Sequence, residues 1–155
     1  MSSPFAGSRE ATPEQREAAR HLVAKAKHMK DAEDDAGFAS VWAREARLAI
    51  VSNGTPAPVI VGREAIMAFY RRNWATGAHG AGEERETHIA ENPFIVALGE
   101  DRLLATHTAI FVARRGVMPR LIGFGEFRDE IILEDGSWRI VDRQSSLRRR
   151  PRKSA

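Results

Sequence analysis

The hydrophobic and polar positions of the chain follow a helical period near the N-terminus and alternate in the second half. Thr12, Pro13 and Gln15 form a capping-box pattern that starts a helix. The acidic stretch 31–37 ends that helix, and residues 38–42 and 62–74 predict a second, short helix and a third. Apolar residues at spacings of three and four give the first helix one core-facing side: Ala19, Leu22, Val23, Ala26 and Met29.

Strands are predicted from short apolar runs and from alternation. The runs 48–51 and 58–61 are predicted to pair as a hairpin. Pro93 indicates a bend or bulge in the strand that precedes it, and the glycine-rich stretch 76–83 predicts a flexible rim loop. The order predicts an α+β fold in which three helices pack on one face of a strongly bent sheet. Four long antiparallel strands, with turns at Arg115-Gly116 and Asp135-Gly136, are predicted over about 86–92, 102–114, 119–134 and 138–143.

The composition is that of a single globular domain: 155 residues, 43% hydrophobic and 29% charged. Cysteine is absent, which excludes disulfides, thiol nucleophiles and cysteine-ligated metals. The sequence contains neither a signal-peptide pattern nor an apolar run approaching about 20 residues. We therefore expect a cytoplasmic protein with no membrane partner.

The net charge of +3 arises from the C-terminal end. Residues 147–155 carry five of the 24 bases and no acid, which leaves 19 bases against 21 acids elsewhere. Such a tail could bind nucleic acid or acidic membrane, but a solvated terminus is the commoner interpretation, so no nucleic-acid partner is predicted. The chain is thus divided into a flexible leader (1–11), a folded domain (12–147) and a basic tail (148–155).

Three side chains on separate predicted elements carry the candidate chemistry: Asp31, His88 and Arg143. The imidazole could take a proton, the carboxylate could orient it, and the guanidinium could hold developing negative charge. Spacing alone leaves another interpretation open. In that alternative Asp31 ends its helix, His88 is a structural strand residue, and Arg143 pairs with surface acids.

Metal and nucleotide sites are not indicated. The five histidines lack the paired spacing of a zinc helix motif, so no metal is predicted. Neither Gly123-Phe124-Gly125 nor Gly80-Ala81-Gly82 has the adjacent Lys-Ser/Thr pair of a phosphate loop, and no GxSxG elbow occurs. We therefore expect a protein that works without a cofactor.

Four segments and the order of elements resemble the SnoaL-like branch of the NTF2-like superfamily, over roughly residues 14–147. These segments are DAEDDAGFASVW (31–42), VGREAIMAFY (61–70), THIAENPFIV (87–96) and GEFRDEIILEDGSWRIVDR (125–143). The resemblance implies a cone-shaped sheet curled around a deep apolar pocket, which the helices close at one side. It is nearest to the lyase-type members: scytalone dehydratase, bile-acid dehydratases and the hexachlorocyclohexane dehydrochlorinase.

The resemblance implies that Asp31 is the acidic partner, His88 the catalytic base and Arg143 the arginine used by the dehydrochlorinase. Those enzymes often carry Tyr or Lys five residues before the aspartate, whereas this chain has Ala26. His28 or His107 would then supply the missing polar contact, although His107 could equally lie on the outer face. The expected pocket walls, for which core packing is the alternative, are Phe69, Trp74, Phe94, Phe111, Phe124 and Phe127.

The expected function is a cofactor-independent lyase or isomerase acting on a small hydrophobic or cyclic molecule. Two alternatives remain: a non-catalytic binding protein, and the small subunit of a ring-hydroxylating dioxygenase. Apolar residues on the long strands predict an exposed outer face and hence a homodimer, with a trimer as the next choice; they are Ile110, Val112, Ile131 and Leu133.

Overall fold

The computed structural model describes residues 5–77, 84–115 and 117–150. The helices are α1 (Pro13–Asp31), α2 (Asp35–Ala39) and α3 (Arg63–Ala75). Residues 78–83 of the predicted rim loop and Gly116 of a predicted turn lie outside the described ranges. The strands are β1 (Arg9–Glu10), β2 (Trp42–Ser52), β3 (Thr55–Pro56), β4 (Ile60–Val61), β5 (Glu84–Ala90), β6 (Phe94–Ala97), β7 (Arg102–Arg115), β8 (Met118–Glu134) and β9 (Ser137–Arg149).

Helix α1 begins with the predicted capping box. The Thr12 hydroxyl accepts from the Gln15 amide at 3.2 Å, and the Gln15 side chain accepts from the Thr12 amide at 3.0 Å. Pro13 occupies the first turn, where its missing N–H has no intrahelical partner to lose. The predicted apolar stripe is buried at Ala19, Leu22, Val23 and Ala26. These contacts hold α1 against the sheet and set the direction in which its last turn points.

The prediction of a second helix over 38–42 was wrong in its boundaries. Asp34 caps α2 by accepting from the Gly37 amide at 2.9 Å, so the helix covers Asp35–Ala39 and Trp42 already belongs to β2. Strand β2 extends beyond the predicted 48–51, from Trp42 to Ser52. The prediction rested on a short apolar run, and the first half of the strand has none because it carries Arg44, Glu45 and Arg47.

A single sheet has the strand order β1-β6-β7-β8-β9-β2-β3, with β4 also paired to β2 and β5 to β7. The predicted α+β class, with three helices and a bent sheet, is confirmed. One pair differs from the expected antiparallel arrangement: β2 and β9 run parallel, with Leu48 opposite Arg143. The two strands are far apart in sequence, and no hairpin turn indicates their neighbourhood.

Strand ends also differ from the predictions. The strand is interrupted where a bend or bulge was predicted from Pro93: β5 ends at Ala90 and β6 starts at Phe94, and both pair with β7. Strand β9 continues past the predicted 138–143 to Arg149, and β1 lies within the predicted leader. The domain limits at residues 12 and 147 stay a prediction. No helix in the described part of the chain is long and apolar enough to cross a bilayer.

Candidate active site

The register of the sheet aligns polar side chains in rows across its inner face. Two rows carry histidines and a third carries an acid and a base opposite one another. The first row is His88, Phe111, Gly123 and Arg149; the second is His107, Phe127, Ser145 and Ile50; the third is Ala105, Asp129, Arg143 and Leu48.

A cavity of about 270 Å³ lies between these rows and the helices α1 and α3. Its size and mainly apolar lining suit one small organic molecule. Gly125 faces this space, and a Cβ at that position would come within 2.9 Å of Phe111 and Phe127 ring atoms. The helices contribute Val23, Ala26, Lys27, Lys30, Phe69, Tyr70 and Asn73 to the lining.

Asp31 and His88 are in direct contact at one side of this cavity. The Asp31 carboxylate accepts from His88 Nδ1 at 2.6 Å and from the His88 backbone amide at 2.9 Å. Two hydrogen bonds donated to the same carboxylate fix both the position of the His88 ring and its tautomer, with the proton on Nδ1. His88 Nε2 therefore acts as an acceptor, and His88 is among the residues that line the cavity. The sequence predicted this pair, and its catalytic role remains a prediction.

The electrostatic environment keeps the pair in the state a base requires. Burial lowers the pKa of His88 below its usual 6.5. The hydrogen bond that His88 donates to Asp31 acts to raise this pKa, and the charge of Lys30 lowers it further. For Asp31, burial acts to raise the pKa, but the hydrogen bonds and charge of His88 outweigh it and the net shift is downward. At neutral pH the arrangement is a neutral imidazole beside an ionised carboxylate.

Lys30 and Glu86 surround the second imidazole nitrogen, and the sequence analysis did not select them. Lys30 Nζ is 3.3 Å from His88 Nε2, and Glu86 Oε1 is 3.5 Å from it. Glu86 is held by two bonds from Arg149, at 2.6 and 3.0 Å. Two signals were available: Lys30 follows Ala26 by four residues, and Glu86 shares the alternation face of His88.

Arg143 lines the same cavity and is held by an acid that the sequence analysis did not select. Its Nε and Nη2 donate to the two oxygens of Asp129, each at 2.7 Å, and Asp129 is fully buried. His107 Nε2 lies 3.3 Å from Asp129 Oδ2, and its ring stacks on Phe127. Burial acts to raise the pKa of Asp129, but Arg143 outweighs it and holds that pKa well below its usual range. Arg143 thus pairs with a buried acid, not with surface acids.

The remaining predicted pocket residues divide into two groups. Phe69, His107, Phe111 and Phe127 line the cavity, so His107 lies on the inner face of the sheet. The structure does not bring the other four to it, which are His28, Trp74, Phe94 and Phe124.

Each of those four has another position. Phe94 is 60% exposed, and its ring packs edge-on against Phe5. His28 is exposed on α1, and Trp74 packs against Phe38 and Tyr70 in the core. Phe124 is 47% exposed, because it lies between the inward-facing Gly123 and Gly125 and so points outward. Within the described ranges, no three His, Cys, Asp or Glu side chains are arranged to hold a metal ion.

Several solved structures have the same fold. An NTF2-like protein with a cystatin-like fold from Novosphingobium aromaticivorans matches with a TM-score of 0.70 and 20% identity, over 86% of this chain and 82% of that one. The protein Aln2 from a Streptomyces species matches with a TM-score of 0.73 and 19% identity, over 88% and 93%. A protein assigned as the beta subunit of an aromatic-ring-hydroxylating dioxygenase, also from N. aromaticivorans, gives 0.67 and 14%, over 90% and 92%. At these identities the similarity establishes the fold alone.

No curated protein matches the chain in sequence. The family profile of the SnoaL-like domain matches residues 11–144, which is most of the chain. The match agrees with the NTF2-like structural relatives and confirms the superfamily expected from the sequence, while the lyase-type branch remains a prediction. The chain therefore belongs to the SnoaL-like domain family of the NTF2-like superfamily.

Proposed function

We propose that the protein is a cofactor-independent lyase or isomerase. It removes a proton from carbon in a small hydrophobic or cyclic molecule bound in the 270 Å³ cavity. The observation that carries this proposal is the 2.6 Å contact between Asp31 and His88 Nδ1, which leaves Nε2 as the acceptor nitrogen of a cavity-lining histidine. His88 is the base and Asp31 its orienting partner.

The proton transfer uses the two sides of the imidazole differently. His88 Nε2 takes the proton, and the Asp31 carboxylate on Nδ1 stabilises the imidazolium that forms. The lowered pKa of His88 keeps the ring neutral at pH 7, so that the base is present before substrate binds. A positioned base of this kind contributes about 10²–10⁴-fold to the rate.

The pairing of charges in the site favours an uncharged substrate. Of the four cationic side chains that line the cavity, three are matched by three carboxylates in contact with them or with His88, and the fourth is Lys27 on α1. A permanently charged ligand would disturb this pairing in a poorly hydrated space. Negative charge that develops during reaction would instead be stabilised by the nearby cations. The matched cations are Lys30, Arg143 and Arg149, and the carboxylates are Asp31, Asp129 and Glu86.

The proposal is tested without knowing the physiological substrate, by hydrogen–deuterium exchange. Small cyclic ketones and hydroxyketones are incubated with the protein in D₂O, and exchange at the carbons next to the carbonyl is followed by proton NMR. We expect catalysed exchange with the natural chain and a loss of about 10²–10⁴-fold in His88→Gln. His21→Gln, an exposed position on α1, is the matched control and should exchange normally.

The result that rejects the base assignment is equal exchange by His88→Gln and the natural chain. If no ketone in the panel exchanges but several bind, the second candidate, a non-catalytic binding protein, is favoured. The contact of Lys30 with His88 Nε2 supports that candidate, because the lysine occupies the nitrogen that would have to accept the substrate proton.

A dioxygenase small-subunit role is supported by the fold shared with a protein assigned as such a subunit. Co-purification with an iron–sulfur large subunit would establish it.

A further inference from the structure

The Lys30 side chain is unusual for a lysine because it is only 13% exposed and lines the cavity. Its amine lies 3.3 Å from His88 Nε2 and 4.0 Å from Asp31 Oδ1. Asp31 makes its two shorter bonds to His88, and Glu86 makes its two to Arg149. The carboxylates near the amine are therefore engaged more closely by other donors.

Helix geometry directs this amine into the site. Val23, Ala26, Lys27 and Lys30 all line the cavity, as expected for positions that recur every three to four residues on one helix face. Ala26 is small and buried, so the space beside it is open to the longer side chain from the next turn. The α1 backbone holds Lys30 in place through its last turn, where the Ala32 amide donates to the His28 carbonyl at 2.9 Å.

We propose that Lys30 is a covalent amine nucleophile that forms an imine with a small uncharged aldehyde or ketone bound in the cavity. This names the substrate class for the site, and it rests on the proposed function only for the proton abstraction that would follow. An imine would make the neighbouring C–H more acidic, and His88 lies within hydrogen-bond distance of the amine that would carry it.

The step is balanced by groups already present. The Lys30 nitrogen bonds to the carbonyl carbon, and the C=O π bond breaks. The oxygen takes the proton that the nitrogen gives up, which leaves a carbinolamine. The nitrogen then gives up its second proton to the hydroxyl group, the C–O bond breaks, water leaves, and C=N forms. Nothing is oxidised or reduced, so no co-reactant is needed.

Burial also supports the required protonation state. It lowers the pKa of Lys30 to about 8. The charges of Asp31 and Glu86 act to raise this pKa, and the charges of Arg149 and Arg143 act to lower it. Near neutral pH this gives roughly a hundredfold more unprotonated amine than an ordinary lysine has. Desolvated lysines in apolar pockets are a known way to activate this nucleophile.

Reductive trapping tests the proposal. The protein is incubated at about pH 7.5 with benzaldehyde or cyclohexanone, reduced with sodium borohydride, and mapped by peptide mass spectrometry. Hydride adds to the imine carbon and leaves a stable secondary amine at the lysine. The chain has four lysines, and the three besides Lys30 serve as internal references: Lys25, Lys27 and Lys153. We expect at least about tenfold more label on Lys30 than on any other.

Matched variants separate nucleophilicity from folding. Lys30→Arg keeps the charge and should lose the label, whereas Lys25→Arg, on α1 but outside the cavity lining, should keep it on Lys30. Equal labelling of all four lysines, or no label on Lys30 with either probe, overturns the proposal. His88→Gln distinguishes it from the proposed function, since that variant should still trap carbonyl compounds at Lys30 while losing proton exchange. Trapping without exchange in the natural chain would leave this inference standing and remove the proposed function.

Discussion

His88 is the residue on which the candidate site depends, because charged groups lie beside both of its ring nitrogens. Asp31 accepts from Nδ1 at 2.6 Å, and Lys30 approaches Nε2 at 3.3 Å. The carboxylate favours the protonated ring, whereas the ammonium and burial favour the neutral one. The protonation state of this side chain is thus set by its burial and by its charged neighbours, chiefly Lys30 and Asp31 on α1.

These opposing influences predict titration shifts of opposite sign. Asp31→Asn should lower the pKa of His88 further, because the charge that favours imidazolium is lost while burial remains. Lys30→Met should raise that pKa, because a repelling charge is removed. Imidazole NMR titration of both variants measures the shifts, with the exposed His21 as internal reference. Shifts in the same direction for both variants would contradict the assigned contacts.

At the scale of elements, the pairing of strands β8 and β9 brings together the buried charge pair of the site, Asp129 and Arg143. A two-residue turn at Asp135-Gly136 places Glu134 opposite Ser137, and the positive φ at both turn residues fits this tight hairpin. Counting back from the turn alone would place Arg143 opposite Arg128, a repulsive pair. A bulge between Glu130 and Ile131 shifts the register by one residue, and Asp129 becomes the partner.

The pairing predicts that Asp129 is required for stability. Asp129→Asn should lower the free energy of unfolding by about 3–5 kcal/mol, because it leaves the buried Arg143 guanidinium without its counter-charge. Asp142→Asn, on the neighbouring strand and bonded to Gln144 in an exposed contact, should change it by about 0.5 kcal/mol or less. Urea unfolding measures both. Equal stability of the two variants would show that the charge pair contributes little.

At the scale of the whole molecule, the outer face of the sheet carries an apolar row. Ile89, Ile110 and Phe124 are directly paired across β5, β7 and β8, and each is between 45% and 56% exposed. The outer-face prediction was right for Ile110 but wrong for Ile131, which is fully buried because it shares the inward alternation of Asp129. An apolar row of this kind on an open sheet is typical of an association surface.

This row makes the predicted homodimer testable. We expect light scattering to give a dimer at micromolar concentration and Phe124→Lys to give a monomer, because the charge would be buried on association. Val61→Lys, an equally exposed apolar position on β4, should leave the dimer intact. A monomeric natural chain would reject the dimer, and a trimer would support the second choice made from the sequence.

Local patterns determined much of this protein. The capping box and apolar stripe of α1, the alternation of the long strands and the Asp135-Gly136 turn depend on residues near one another in sequence. Their physics is therefore readable without a structure. The pairing of Asp31 with His88 was predictable only through the family resemblance, since 57 residues separate the two.

Tertiary structure alone decided which groups complete the site. Asp129 meets Arg143 because a bulge changes the register, and a bulge has no dependable sequence pattern. Lys30 meets His88 because α1 packs across β5, and that contact depends on how two distant surfaces fit. Local periodicity sets which face of an element is buried, whereas side-chain partners across elements are set by register and packing, which arise only when the whole chain folds.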